Sequence, residues 1–524
     1  MGEYWIDGLV LLAYFAVILG IGLSQRSKSG SVEGFALGDR QMPWWAVLTS
    51  IIAAEISAAT FLGAPGEGYS NRNWTYAQLV IGTILARIVV SYLFIPLYYK
   101  QGVVSIYEFL GQRFGPLSRK MASATFLVTR VLAMGTRLYV SALIVVIAAE
   151  AIRGTPVSPD MKFMFFAGAV VLVTVLTTAY TAVGGIRAVI WTDLIQVGVL
   201  VASLGFTIPF LLGKIPGGWD TIKASIVEPV FFDFALPKPG AEHVSWFRRV
   251  FTTEYTIYAA FVGSTFVTMA THGIDQDTVQ RMLTAKNKRQ SAFATIMSGL
   301  IDLPVVCSFV FIGVLLHCFF AANPVSGLPT EDREVFPFFI VHQMSPGLRG
   351  LVVAGILATA MGSLSTALNA MATSFSQDFL FPRVRARRGE LADAEQVRYL
   401  RWSTVLFASL VIVVGMITAW YMAHHPETRI IPLVLGIMGY TFGSLLGVFL
   451  VALLTKRGND CGNVLGMCCG FVAVLFFSNP LGVQQTLGIE TPFVLAFPWR
   501  VTLGTLVTVA VAVCFPSASR DETR

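Results

Sequence analysis

The carboxylate of Glu55 stands in the stretch Ser50–Tyr69, SIIAAEISAATFLGAPGEGY, which otherwise begins as an apolar helix. A charge near the centre of a bilayer costs roughly 2.5–3.5 kcal/mol on insertion scales, so the group must face the protein interior, with a partner or a ligand. Ser57, Ala58, Ala59 and Thr60 follow it, and then the breakers Gly63, Pro65 and Gly66. Such a run suits a helix that opens backbone carbonyls toward an ion. A Glu paired with a buried Arg for structure alone is the competing reading. Two further acids lie in apolar surroundings. Asp193 enters a helix after the Gly184–Gly185 turn of GGIRAVIWTDLIQ, and Asp302 precedes Pro304 in GLIDLPVV, within the membrane or nearer an interface.

Oxygen donors without full charge recur in GILATAMGSLSTALNAMATSFSQDF. On a helix Thr359, Ser363, Thr366, Ala370 and Thr373 share one face, with Ser365 and Asn369 in a neighbouring row. Hydroxyls and carbonyls suit a weakly held monovalent cation that must be released each cycle. Small hydroxylated residues also serve as helix-packing contacts in membranes, and spacing alone leaves both readings open. Arg130 and Arg137, seven apart in LVTRVLAMGTRLYVSALIVV, lie on one helix face. Arg137 is near mid-span and needs an anion: Glu55, Asp193 or an anionic solute, since a guanidinium is a bidentate clamp for carboxylates. THGIDQDTVQRMLTAKNKRQS passes from apolar helix to acids and then to basic residues, as an inner-surface gate and anchor would. His272 at its start is either titratable or a hydrogen-bonded core residue.

The elements that position these groups are apolar helices. The 524 residues are 55% hydrophobic and 13% charged, about half the charge of a soluble protein, with a mean hydropathy of +0.70. Length criteria give about thirteen spans, near 5–24, 44–68, 75–99, 121–151, 162–183, 187–213, 249–274, 290–321, 347–379, 400–424, 429–455, 462–480 and 496–516. The longest loop, 214–247, has room for a surface helix but no soluble domain. Alternate loops hold the basic residues: Arg26, Lys28 and Arg40; Lys100, Arg113, Arg119 and Lys120; Arg281, Lys286, Lys288 and Arg289; Arg383, Arg385, Arg387, Arg388 and Arg398; Lys456 and Arg457. That pattern places the N-terminus outside and the C-terminus inside, and it makes the net charge of +7 a topology signal and not a nucleic-acid footprint. The N-terminus, MGEYWIDG, is acidic and lacks the pattern of a cleavable signal. Six cysteines without zinc-like spacing read as packing residues.

Together, AAEISAATFLGAPGEGY, GGIRAVIWTDLIQ, DQDTVQRMLTAK and SLSTALNAMATSFSQDF resemble the sodium/solute symporter family, in order and spacing over nearly the whole chain. The resemblance implies an all-α membrane protein with the five-plus-five inverted repeat of the leucine transporter. The units would be 1–43, an extra helix and cytoplasmic loop; 44–213, the first repeat; 214–248, an external loop; 249–455, the second repeat; and 456–524, two final helices and a cytoplasmic tail. It implies sodium as the coupling ion, held by the carbonyls of Ala53, Ile56 and Thr359 and the hydroxyl of Ser363. The family's second hydroxyl falls on Gly362, so that ligand is missing, to be replaced by water or Glu55. A second sodium site of some relatives matches Asp193, Ser365 and Thr366.

Family positions that touch solute match Glu55, Ser57, Thr60, Gln78, Thr268 and Thr271, and in sialic-acid-type members an arginine like Arg137 holds a carboxylate. The expectation is therefore sodium-driven import of a sugar acid, carboxylate or amino acid across the plasma membrane, by a chain sufficient as a monomer. A neutral sugar or polyol symporter, and a proton-coupled one using Glu55 and Asp193, are the nearest alternatives. A channel would need a repeated filter segment. An intramembrane enzyme would need a nucleophile with its base or a metal cluster, whereas the six histidines are scattered.

Overall fold

The computed structural model describes residues 4–25, 30–153, 155, 157–237, 243–424, 430–480 and 482–517, with backbone alone at Ala59 and 430–435. Arg26, Lys28 and His425 lie outside the described residues, as does the side chain of Ala59. Every regular element among the described residues is helical. The first span, α1 (Tyr4–Ser24), precedes a bent pair, α2 (Trp44–Glu55) and α3 (Ala58–Asn71). Then come α4 (Thr75–Gln101), α5 (Pro116–Arg153) and α6 (Pro159–Leu212). A second interrupted pair follows, α7 (Ser264–Gly273) and α8 (Gln276–Met282). The chain continues through α9 (Lys288–Ala322), α10 (Leu348–Arg388), α11 (Asp393–His424), α12 (Ile430–Leu454), α13 (Asp460–Ser478) and α14 (Phe497–Ala512).

Among the described residues nine of these helices are long and apolar enough to cross a membrane, ten with the bent pair counted as one span, and three details differ from the hydropathy reading. Helix α6 runs 54 residues without a hydrogen-bonding gap, far longer than one bilayer crossing needs. It is two spans folded at Gly185, whose φ of +58° and ψ of −150° only glycine adopts at low cost. The expected span 249–274 divides into a short surface helix, Trp246–Thr252, and a membrane part that starts with a π turn at Ala259–Gly263. The span expected over 44–68 is broken, its halves meeting at 62°. The surface helix foreseen in 214–247 is present at Gly218–Ser225. The cysteines depart from the packing reading, since Cys461, Cys468 and Cys514 are exposed and only Cys318 is buried.

The centre of the molecule is α10, whose apolar window is 89% buried against 33% for α6 and α11. Its composition explains the place. Small and hydroxylated side chains let neighbouring backbones approach, and a helix facing lipid would carry larger apolar groups. The basic loops touch one another at one end. Met42 N–H donates to Thr284 O at 3.0 Å, Arg40 to Val103 O at 3.4 Å, Arg113 to Thr455 O at 3.3 Å and Arg119 to Asp378 at 2.7 Å. At the other end Trp74 N–H donates to Val230 O at 2.7 Å, and Ala496 N–H to Phe251 O at 2.9 Å.

The closest crossing joins α3 to α9 through a pair of glycines. A Cβ on Gly68 would lie 2.0 Å from Val310 O, and one on Gly313 would lie 2.0 Å from Pro65 O. We expect Gly68→Leu and Gly313→Leu each to cost at least a few kcal/mol through overpacking against backbone. A thermal melt of purified protein should show both variants melting well below the parent. Gly63→Ala, which meets nothing within 4 Å, should leave the melt unchanged.

Candidate functional site

The break between α2 and α3 is built by local chemistry. Ile56 is extended (φ −79°, ψ 92°), and Ser57 caps α3 by accepting from Thr60 N–H through its side chain. The Ser57 amide would close a helical turn on Ala53 O, but it donates to Glu55 O at 3.0 Å. The Thr60 amide would close on Ile56 O, but it turns to Ser57 O at 2.9 Å. Helical bonding thereby releases Ala53 O and Ile56 O inside the membrane, where an orphaned carbonyl needs a partner. The second break, at Ile274–Asp275, stands at the corresponding point of α7 and α8.

Across from the first break lies α10. Ser363 Oγ donates to Thr359 O at 2.9 Å and retains lone pairs to offer. Gly362 is closely packed. A Cβ there would sit 2.6 Å from Gln196 Oε1 and 3.5 Å from both Ala53 O and Asp193 Oδ1. Gln196 Oε1 and Asp193 Oδ1 are buried without a partner among the described residues. Carbonyl, amide and carboxylate oxygens grouped in this way are the donor types a hard monovalent cation takes, so the residues present fit sodium. Of the two substitutes expected for the missing hydroxyl, Glu55 spends Oε1 on Arg87 and His272. Gln196, which sequence reading passed over, comes up against Gly362 from α6.

Glu55 carries a different network. One of its oxygens accepts from Arg87 of α4 and lies 3.1 Å from His272 Nε2 of α7. Arg87 is fully buried and also faces Asp302 Oδ2 of α9 at 3.5 Å. Glu55 thus has the buried arginine of the structural reading, supplied by a residue that the apolar run of α4 concealed. Asp193 Oδ2 accepts from Ser50 Oγ at 2.5 Å and faces Arg281 at 3.5 Å. Arg137 therefore meets neither acid. Its guanidinium donates to Met438 Sδ at 3.3 Å, with no carboxylate within 4 Å among the described residues. Its heptad neighbour Arg130 pairs with Asp275, and with Asp277 at 3.1 Å, tying α5 to the start of α8.

A cavity of about 210 Å³ adjoins the break, lined by Glu55, Thr60, Thr268 and Asp302 and by apolar residues of α4, α7 and α9. The other expected solute contacts fall elsewhere. Gln78 is spent on the outer loops, donating to Tyr255 O at 3.1 Å and accepting from Asp233 N–H at 3.4 Å. Thr271 donates to Thr268 O at 3.3 Å and meets His272 at 3.0 Å, and Ser57 is the cap of α3. Ser365 and Thr366 both donate to Gly362 O, at 3.0 and 3.1 Å, so their hydroxyl protons point along α10 and not toward Asp193.

A family model described as the sodium:solute symporter family matches residues 35–470. The chain is 27% identical over 482 residues to a sodium/sialic acid symporter of Proteus mirabilis, covering 90% of this chain and 89% of that one. It is 28% identical over 502 residues to the sodium-coupled monocarboxylate transporter 2 of Bos taurus, covering 92% and 74%. Among solved structures it is similar to a sodium-coupled sialic acid symporter in a substrate-bound, outward-open state, with a TM-score of 0.77, 25% identity and 97% of each chain covered.

The charge network carries its own test. Arg87→Met strands two carboxylates and should cost about 3–5 kcal/mol, read as a drop in melting temperature. Glu55→Gln added to it should restore part of that stability. A melt of Arg87→Met equal to the parent's would mean that the guanidinium neutralises nothing.

Proposed function

The chain belongs to the sodium:solute symporter family, and from that membership we propose how this member couples its ion and what it carries. It is a sodium-driven symporter with the leucine-transporter fold, not an enzyme. The observation that carries the coupling reading is the pair of carbonyls released at the break, of which Ala53 O lies beside Gly362 and the unpartnered Gln196 Oε1 and Asp193 Oδ1. Sodium held by Ala53 O, Ile56 O, Thr359 O and Ser363 Oγ would tie the bent α2–α3 pair to α10. Gln196 Oε1 would supply that site with the oxygen that Gly362 lacks, and a second sodium would rest on Asp193, Ser365 and Thr366. An ion shared by two elements favours the conformation in which they are together, which is how binding at one site raises the population competent for solute at another.

The repeats are taken as 44–213 and 249–455, each opening on an interrupted helix. Residues 1–43, 214–248 and 456–524 are additions to them. The basic loops that meet at one end support a cytoplasmic face there, with the N-terminus outside, the C-terminus inside and the plasma membrane as the location. The pairing of Arg130 with Asp275 and Asp277 at that end would close the inner path. The monomer already contains every element of both sites. The solute is a small carboxylate-bearing molecule, a sugar acid, monocarboxylate or amino acid. Support comes from the solutes named for the relatives and from Arg137, whose guanidinium meets no carboxylate among the described residues.

Uptake into proteoliposomes across these solutes should occur with an inward sodium gradient and stop when potassium replaces sodium. Accumulation driven by protons alone would reassign Glu55 and Asp193 to proton transfer. Ser363→Ala removes one oxygen ligand and should raise the half-saturating sodium concentration about 5- to 30-fold. An unchanged sodium curve would move the ion away from α10.

A further inference from the structure

The cavity beside the break has polar walls of one sign. Glu55 and Asp302 line it, no Lys, Arg or His does so among the described residues, and its hydroxyls come from Thr60, Thr83, Ser264, Thr268 and Tyr76. The remaining lining is apolar, with Val80, Val267, Val305 and Phe309 the main contributors. The compensating cation stands behind this wall. Arg87 is 0% exposed, and its Nη1, without a partner, is pressed toward α9, 2.7 Å from where a Cβ of Gly299 would lie. It faces both acids with Nη2. Glu55 Oε2 is left without a partner among the described residues. Two carboxyl groups thus share one guanidinium. A charge buried that way is expensive unless a cation completes it.

We infer that the cavity is a seat for an organic ammonium group, so that the solute is an amino acid or a related amine and not an acid lacking nitrogen. The amino group donates to Glu55 and Asp302, taking up the unpartnered Glu55 Oε2, and the apolar side of the solute lies along Val80, Val267, Val305 and Phe309. A carboxylate at this place would face two carboxylates with the guanidinium out of reach. Arg87 serves as a positioning residue, holding the two acids apart and aimed at one group. This assignment rests on reading the cavity as the solute site of a sodium symporter.

The test is binding to the purified full-length protein in sodium buffer, measured by calorimetry with matched pairs that differ in the amino group. L-Leucine is set against 2-hydroxy-4-methylpentanoate, L-phenylalanine against 3-phenyllactate and L-proline against cyclopentanecarboxylate, with N-acetylneuraminate and lactate alongside. At least one amine should bind about tenfold or more tightly than its partner, the usual scale for a lost charge-assisted hydrogen bond. Asp302→Asn should erase that preference while leaving the sodium dependence of the melting temperature unchanged. Equal binding within every pair, tighter binding of N-acetylneuraminate or lactate than of any amine, or binding of none of the amines overturns the assignment. An Asp302→Asn protein that needs more sodium yet keeps its amine preference would give the acids to an ion and also overturn it. Sodium-driven uptake of a nitrogen-free acid would leave the symporter reading standing while this inference falls, and uptake indifferent to sodium would remove the symporter reading itself. If Asp302→Asn does not fold, the matched pairs on the parent protein decide alone.

Discussion

A backbone that leaves its helix inside a membrane must find new partners for the groups it frees, because hydrocarbon offers none. That constraint governs this molecule at Ile56–Ser57. One of the two released carbonyls, Ala53 O, lies beside Gly362 of α10, close to the unpartnered oxygens of Gln196 and Asp193 from α6. The acid in the middle of the same break turns the other way, toward α4, α7 and α9. One residue pair therefore touches two chemistries on opposite sides. The carbonyl side suits an ion without a hydration shell, and the carboxylate side borders the cavity. Anything that straightens the break disturbs both at once, which is a physical basis for coupling that needs no long pathway between sites.

Much of the architecture was legible in the chain because membrane helices announce themselves by length and because lysine and arginine mark one side. Glu55, Asp193 and Ser363 could be singled out for the same reason: polar atoms in an apolar run must be doing something. What escaped was partnership. Arg87 sits in a run apolar enough to pass as ordinary, and nothing in its spacing says that it reaches Glu55, 32 positions earlier, or Asp302, 215 positions later. Gln196 belongs to a quoted stretch but lacks charge, so only its unpartnered amide beside Gly362 draws attention to it. Gln78 and Arg137 show the reverse. Each has the right type near the right depth, yet the fold turns Gln78 to the loops and lays Arg137 against a thioether. Sequence gives depth along a helix far better than rotation about it.

The break at Ile274–Asp275 resembles the first in position but not in chemistry. Asp275 caps α8 through Asp277 N–H and binds Arg130, so its polar atoms are satisfied within the protein. Each break keeps one unpartnered carboxylate oxygen among the described residues, Glu55 Oε2 at the first and Asp277 Oδ1 at the second.

The glycine pair at Gly68 and Gly313 bears on motion. Backbones that meet without side chains between them have no soft layer to shear, so α3 and α9 must travel as one solid piece. The bend at Ile56 then works as a hinge between that piece and α2, and Glu55 is its pin, fastened on the α9 side through Arg87 and Asp302. A rocking motion of the transporter would be divided here, with α3 counted among the parts of the frame that α9 defines. Helix α2 lies between two neighbours, α9, whose Phe293 meets Trp44 edge to face, and α10, whose Gly362 lies beside Ala53 O.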